Sequence, residues 1–184
     1  ALANTAPTQP LDGGDRVDGW EVVALPGHAD GHIGLLRDGV LVSGDALLPD
    51  ISPTIGVWPG CDPDPLAAYL ATLDRLVAMA PRVVLPGHGE PVADPPGRAR
   101  QIREHHRERL DRAAAALGPA PRTAYEVSRD LWPDDLDPGQ RSFAVAESLA
   151  HLRRLVAEGR AAESSAGGRR AFIRSAIRGA GPCR

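Results

Sequence analysis

The phrase Leu-Pro-Gly-His occurs twice, at residues 25–28 and 85–88, and each copy follows a short apolar run. Between them lies Val42-Ser43-Gly44-Asp45, another apolar run that ends in Gly and a polar residue. His28, Asp45 and His88 are therefore each expected just past a strand end, where glycine lets the backbone turn sharply. If the three strands are neighbours, imidazole, carboxylate and imidazole meet on one rim of a sheet. That donor set suits Zn²⁺ or another first-row divalent ion. Asp45 has two oxygens and is the candidate to bridge two ions. A histidine after a strand is more often only a hydrogen-bonded loop residue, so spacing alone leaves metal binding and a structural role both open.

Other reactive side chains carry less. Cys61 follows Trp58-Pro59-Gly60 in the loop after Asp45 and reads as an inert thiol rather than a ligand. His105 and His106 are adjacent on a helical pattern and point about 100° apart, so they do not form an i, i+4 metal pair. His105 fits a polar helix surface. His106 falls on the inward stripe, facing whatever the helix packs against.

The elements that must position these residues show as apolar runs bounded by glycine. Residues 20–25 (WEVVAL), 33–37, 40–43 and 82–85 (RVVL) read as strands, with Asp38-Gly39 as a tight hairpin turn between the second and third. Their nearly unbroken Val and Leu content is that of strands buried on both faces. A helix over 63–79 precedes the fourth strand, with Asp62 as its cap, Pro63 in its first turn, and Leu66, Leu70, Leu73 and Val77 on one stripe. A second helix, 97–117, is very polar, with a thin stripe of Ile102, His106, Leu110, Ala113 and Leu117, and reads as a connector. It stops at Gly118-Pro119.

Beyond residue 121 the pattern changes. Thr123 caps a short helix over 124–131. A turn over 132–138 leads to a longer helix, 139–158, expected to bury Phe143, Leu149, Leu152 and Val156. Two extended runs, 161–164 and 170–174, flank Ser165-Ala166-Gly167-Gly168. Two helices and a two-stranded ribbon are the closing part of a winged-helix unit.

Composition bounds the answer. The chain has 184 residues, 42% of them hydrophobic and 24% charged, which permits a core and excludes wholesale disorder. No run approaches eighteen apolar residues, so no membrane span is expected. No basic segment precedes an apolar stretch at the start, and two cysteines, Cys61 and Cys183, make no disulfide framework; a cytoplasmic setting is the expectation. All 21 basic residues are Arg, as genomic base bias would produce. Residues 1–117 hold 10 Arg against 16 acidic residues, and residues 118–184 hold 11 against 8. The five arginines from Arg169 onward form a basic tail that suits polyanions or simply solvent.

Leu25-Pro-Gly-His28-Ala-Asp-Gly-His32-Ile-Gly, Leu41-Val-Ser-Gly-Asp45 and Leu85-Pro-Gly-His88-Gly-Glu-Pro91 together resemble the second half of a metallo-β-lactamase-fold hydrolase. The helix with Ile102, His105-His106-Arg107 and Arg109 resembles the connector of the lactamase-β-like subgroup, which ends in a winged helix. The resemblance covers about residues 15–175. It implies an α/β (α+β) chain forming the C-terminal half of a four-layer αββα fold: a metallo-β-lactamase-like part over 1–95, a connector helix over 96–118, a winged helix over 119–175 and a basic tail over 176–184. It implies two Zn²⁺ ions, with Mn or Fe as substitutes. His28 would complete one site and His88 the other, and Asp45 would bridge them as the catalytic carboxylate. His32 would be structural or support a ligand from behind. Two metals lower the pKa of a shared water near neutrality and stabilise the oxyanion as an ester, thioester, lactam or phosphodiester is attacked.

One departure matters. The family's first motif, His-x-His-x-Asp-His, is absent; the six histidines are at 28, 32, 88, 105, 106 and 151. A zinc site normally takes three or four protein ligands. The chain is therefore expected to be the C-terminal part of a longer protein, or to obtain its missing N-terminal half from another chain, with homo-oligomerisation a further option. Two other functions compete with hydrolysis of a small-molecule or nucleic-acid substrate. One is a nucleic-acid-binding winged-helix module, reading through Arg141, Arg153 and Arg154 with Arg169 and Arg170 on the wing. The other is a non-catalytic remnant serving as a scaffold.

Overall fold

The computed structural model describes residues 10–175. The basic tail over 176–184 and Cys183 lie outside that range. Five strands form one sheet in the order β1-β2-β3-β4-β5: β1 (Arg16–Val17), β2 (Trp20–Ala24), β3 (Ile33–Arg37), β4 (Val40–Gly44) and β5 (Val83–Pro86). The first four pair antiparallel. β5 runs parallel to β4, and a parallel return needs a long crossover. Helix α1 (Pro65–Met79) supplies it. The turn between β3 and β4 uses Asp38 and Gly39, both at positive φ, as Asp-Gly hairpins require.

The sheet has one covered face and one that is partly open. Leu36, Leu41 and Val84 share a row, and Leu41 and Val84 are fully buried in a cluster with Leu66, Tyr69, Leu73 and Leu76 of α1. The opposite row is Val22, Leu35, Val42 and Leu85. Val42 and Leu85 remain 38% exposed. Uniform Val and Leu content therefore marks two-sided burial only in part here, because within residues 10–175 the helices lie on one side.

Helix α1 begins two residues later than Asp62 would place it. Asp64 is the cap, and its Oδ1 accepts the Ala67 N–H at 3.0 Å. The segment repeats Asp-Pro; Asp62 Oδ1 instead accepts the Asp64 N–H at 2.7 Å, and the second pair starts the helix. The buried stripe is Leu66, Tyr69, Leu73 and Leu76, with Leu70 and Val77 on its flank.

Helix α2 (Pro95–Ala116) follows, capped by Asp94, then α3 (Ala124–Leu131) and α4 (Pro138–Ala157). Capping boxes at Thr123/Glu126 and Asp137/Gln140 start α3 and α4. Strands β6 (Ala161–Ala166) and β7 (Arg169–Arg174) pair antiparallel around Gly167 and Gly168, both at positive φ. Arg122 and Phe172 exchange backbone hydrogen bonds of 2.9 and 2.8 Å, tying the ribbon to the start of α3. Helix α4 buries Ala144, Ala146, Ala150, Leu152 and Leu155, while Phe143 is 53% exposed. The small residues let α4 come close to α2 and to the loop after β4. Among the described residues no helix is long and apolar enough to cross a membrane.

Candidate metal centre

The three sequence-predicted residues converge at one edge of the sheet. His28 follows β2, Asp45 follows β4, and His88 follows β5. His28 Nε2 lies 3.9 Å and His88 Nε2 3.5 Å from the same Asp45 oxygen, Oδ2. Both separations exceed the roughly 2.7–2.9 Å of a charge-assisted hydrogen bond. The imidazole nitrogens thus face the carboxylate without being bonded to it. Asp45 and His28 are about 30% exposed, whereas His88 is 78% exposed.

Local chemistry explains each placement. Gly27 has φ +127°, and a Cβ there would fall 2.4 Å from the Tyr69 Cβ, so only glycine lets the His28 turn sit against α1. Thr72 Oγ1 donates to the Pro26 carbonyl at 2.7 Å, and the Tyr69 hydroxyl donates to the Ala46 carbonyl at 3.1 Å. Helix α1 therefore holds the backbone beside both His28 and Asp45. The Tyr69 phenol is pushed far above its usual range by burial.

The His28 tautomer follows from its partner. Nδ1 lies 3.0 Å from the Thr54 carbonyl, which only accepts, so Nδ1 carries the proton. In that tautomer the lone pair is on Nε2, the nitrogen directed towards Asp45, as a ligand needs. His32 stands apart from the trio. Its Nε2 donates to the Ser43 carbonyl at 2.8 Å, fixing the backbone just ahead of Asp45. Gly87 N–H donates to the Gly44 carbonyl at 2.9 Å, locking the His88 turn to the Asp45 turn.

A second titratable cluster was not visible from spacing. His106 of α2 and Glu147 and His151 of α4 are all buried, with ligand-type atoms within 4.8 Å of one another. Burial, then its histidine neighbours and Arg109, hold His106 down to about 2; burial holds His151 down to about 4. Both rings are neutral at ordinary pH. Burial also raises Glu147, opposed by Arg109, whose Nη1 donates to Glu147 Oε1 at 3.1 Å. The i, i+4 spacing of Glu147 and His151 was the available signal; what the sequence lacked was the pairing of α4 with α2. Cys61 is half-buried, and its Sγ accepts the Trp58 N–H at 3.2 Å. His105 lines a cleft of about 420 Å³ together with Ser52, Arg98, Arg109 and Trp132.

Two family models match. The one described as the metallo-beta-lactamase superfamily covers residues 5–88, and the metallo-beta-lactamase-like C-terminal domain covers residues 110–174. The chain is 32% identical over 150 residues to the probable metallo-hydrolase YqjP of Bacillus subtilis (strain 168), covering 78% of this chain and 47% of that protein. It superposes on a metallo-beta-lactamase family protein from Thermus thermophilus with 40% identity and a TM-score of 0.79, over 90% of this chain and 54% of that one. A beta-lactamase domain protein from Burkholderia ambifaria gives 36% identity and a TM-score of 0.84, over 91% and 52%. The chain belongs to the metallo-β-lactamase superfamily. It spans about half the length of the relatives it matches.

Proposed function

We propose that this chain is the C-terminal part of a metal-dependent hydrolase and that His28, Asp45 and His88 are metal ligands. The observation that carries the reading is the approach of two imidazole Nε2 atoms, at 3.9 and 3.5 Å, to one carboxylate oxygen that neither hydrogen-bonds. Two imidazoles and a carboxylate are the donor set of zinc, manganese and iron sites. Three residues do not complete two tetrahedral sites, so the remaining ligands belong to the part of the relatives that lies outside this chain's span, in the same polypeptide or a partner. Divalent ions bound there would bring water to a pKa near neutrality, supplying the nucleophile for an ester, thioester, lactam or phosphodiester.

The chain's own residues orient. Thr54 holds the His28 ring with Nε2 presented, His32 and Gly87 fix the backbone just ahead of Asp45, and Tyr69 anchors Ala46 just after it. In this reading residues 1–95 belong to one half of a four-layer fold, 96–118 connect, and 119–175 form a winged helix, in a cytoplasmic protein. Hydrolysis is favoured over nucleic-acid reading because the α4 arginines are engaged within the molecule. Arg141 donates to the Ser128 and Pro133 carbonyls, Arg153 to the Pro63 carbonyl, and Arg154 to Asp64 and Glu158. The test is metal content and turnover of the full-length protein on a panel of esters, thioesters, lactams and phosphodiesters. Asp45→Ala should remove bound metal and activity together. Full activity after that substitution would refute the assignment.

A further inference from the structure

We propose that His106 and His151 are positioning residues for the candidate metal centre, acting through the loop over residues 46–58; the role assigned to that centre rests on the reading above. The connection from β4 to α1 runs over residues 45–64, most of it outside helix or strand. A connection this long takes its shape from what it docks against. On one side, its Thr54 carbonyl accepts the His28 Nδ1–H. On the other it rests on α4. The Val57 N–H donates to the Ala146 carbonyl at 3.1 Å, a Cβ at Gly56 would come within 3.0 Å of the Ala146 Cβ, and Trp58 meets Phe143 edge to face at 5.6 Å.

The polar part of this docking is a directed chain. His151 Nδ1 lies 2.8 Å from the Glu147 carbonyl and must donate to it, so His151 Nε2 accepts. His106 Nδ1, 3.4 Å away, then donates, and His106 Nε2 accepts from the Ser52 hydroxyl at 3.2 Å. Each ring is left with one defined tautomer and each ring nitrogen with a partner. The order Glu147 carbonyl, His151, His106, Ser52 carries α4 to the loop two residues from Thr54. The same side chains have a cation's donor set, but Arg109 already places a guanidinium on Glu147 and the two ring nitrogens satisfy each other. A further cation there would meet that guanidinium in a poorly solvated place.

Ser52→Ala deletes one hydroxyl of the half-buried loop and is the least disruptive cut; His151→Leu cuts the chain in the core, and His151→Gln restores an acceptor. In the full-length protein, Ser52→Ala and His151→Leu should weaken Zn²⁺ binding about tenfold, the lower end for outer partners of a ligand. In the metal-free protein they should speed amide hydrogen exchange over residues 52–57 and mix the His28 tautomers in ¹⁵N NMR. His151→Gln should recover most of both. Unchanged exchange and an unchanged His28 tautomer in Ser52→Ala would overturn the proposal, even if His151→Leu does not fold. So would loss of one bound Zn²⁺ per chain from His151→Leu with His28 unaffected, which would make the cluster an ion site. If the unaltered protein takes up no Zn²⁺, the metal-centre reading fails, while the exchange and tautomer measurements still decide this one.

Discussion

Gly87 leaves no room for a side chain beside Asp45: a Cβ at that position would lie 2.4 Å from Asp45 Oδ1 and 3.3 Å from the Gly44 carbonyl carbon. The glycine of the second Leu-Pro-Gly-His phrase thus shapes the carboxylate that follows a different strand. Gly87→Ala should push Asp45 off the point on which His28 and His88 converge. The expected outcome is at least a tenfold loss of Zn²⁺ affinity in chelator competition. Gly87 lies in an exposed turn, so the thermal midpoint should move little. An unchanged affinity would mean that Asp45 is not a ligand.

His32 separates support from ligation. It donates to the carbonyl of the fully buried Ser43, and Gly44, the next residue, is at positive φ with its Cβ position 3.0 Å from the His32 ring. His32→Phe removes one of the two donors to that carbonyl, which keeps the Ala46 N–H at 3.2 Å, and should cost about 0.5–1.5 kcal/mol in denaturant melts. Metal stoichiometry should stay the same while affinity falls. A loss of one equivalent of metal would make His32 a ligand.

Strand positions and the three ligand-bearing turns were legible because both rest on local signals: apolar runs, Asp-Gly, and Pro-Gly ahead of a histidine. What the sequence concealed is contact between elements. Tyr69 and Leu76 replace Leu70 and Val77 on the inner stripe of α1 because that helix faces both the sheet and the segment at Ala46. Phe143 fits a core position by period, yet it lies outside against Trp58, since α4 is approached closely by the loop at Gly56 and needs alanine there. His106 and His151 are 45 residues apart and meet only because α2 and α4 pack together. The motif absent from the sequence has no counterpart in the geometry of residues 10–175, where three side chains converge on the site rather than a complete ligand set.

The neutral histidine pair sets an acid limit on stability. In the folded chain both rings titrate below the ordinary histidine value of 6.5, chiefly through burial, with Arg109 and His105 acting in the same direction. The unfolded chain therefore binds their protons first. The pair's contribution is intact above about pH 6.5 and is lost as pH falls towards about 4 for His151 and further for His106. For His151 alone the loss is on the order of 3 kcal/mol. Urea melts at pH 7 and pH 4.5 should show a steeper drop for the unaltered protein than for His151→Gln, which does not titrate. Parallel curves would show that these rings do not govern the acid limb.

Tyr69 sets the corresponding limit in alkali. Its ring packs edge to face on His106 at 5.5 Å, it is fully buried, and its hydroxyl donates to the Ala46 carbonyl, one residue past Asp45. Burial raises its folded pKa above the ordinary value of 10, so the neutral phenol is favoured in the native state. The linked stability is complete below about pH 10 and declines as pH rises beyond it, because the unfolded chain releases the proton first. Tyr69→Phe keeps the ring and removes both the titration and the donor. The buried Ala46 carbonyl then loses its partner, at a cost of about 1–3 kcal/mol near neutral pH. The deficit relative to the unaltered protein should shrink as pH rises above 10, since only the tyrosine form is destabilised by alkali. A deficit that stays constant through that range would show that Tyr69 ionises in place, and that the backbone next to Asp45 is reached by solvent.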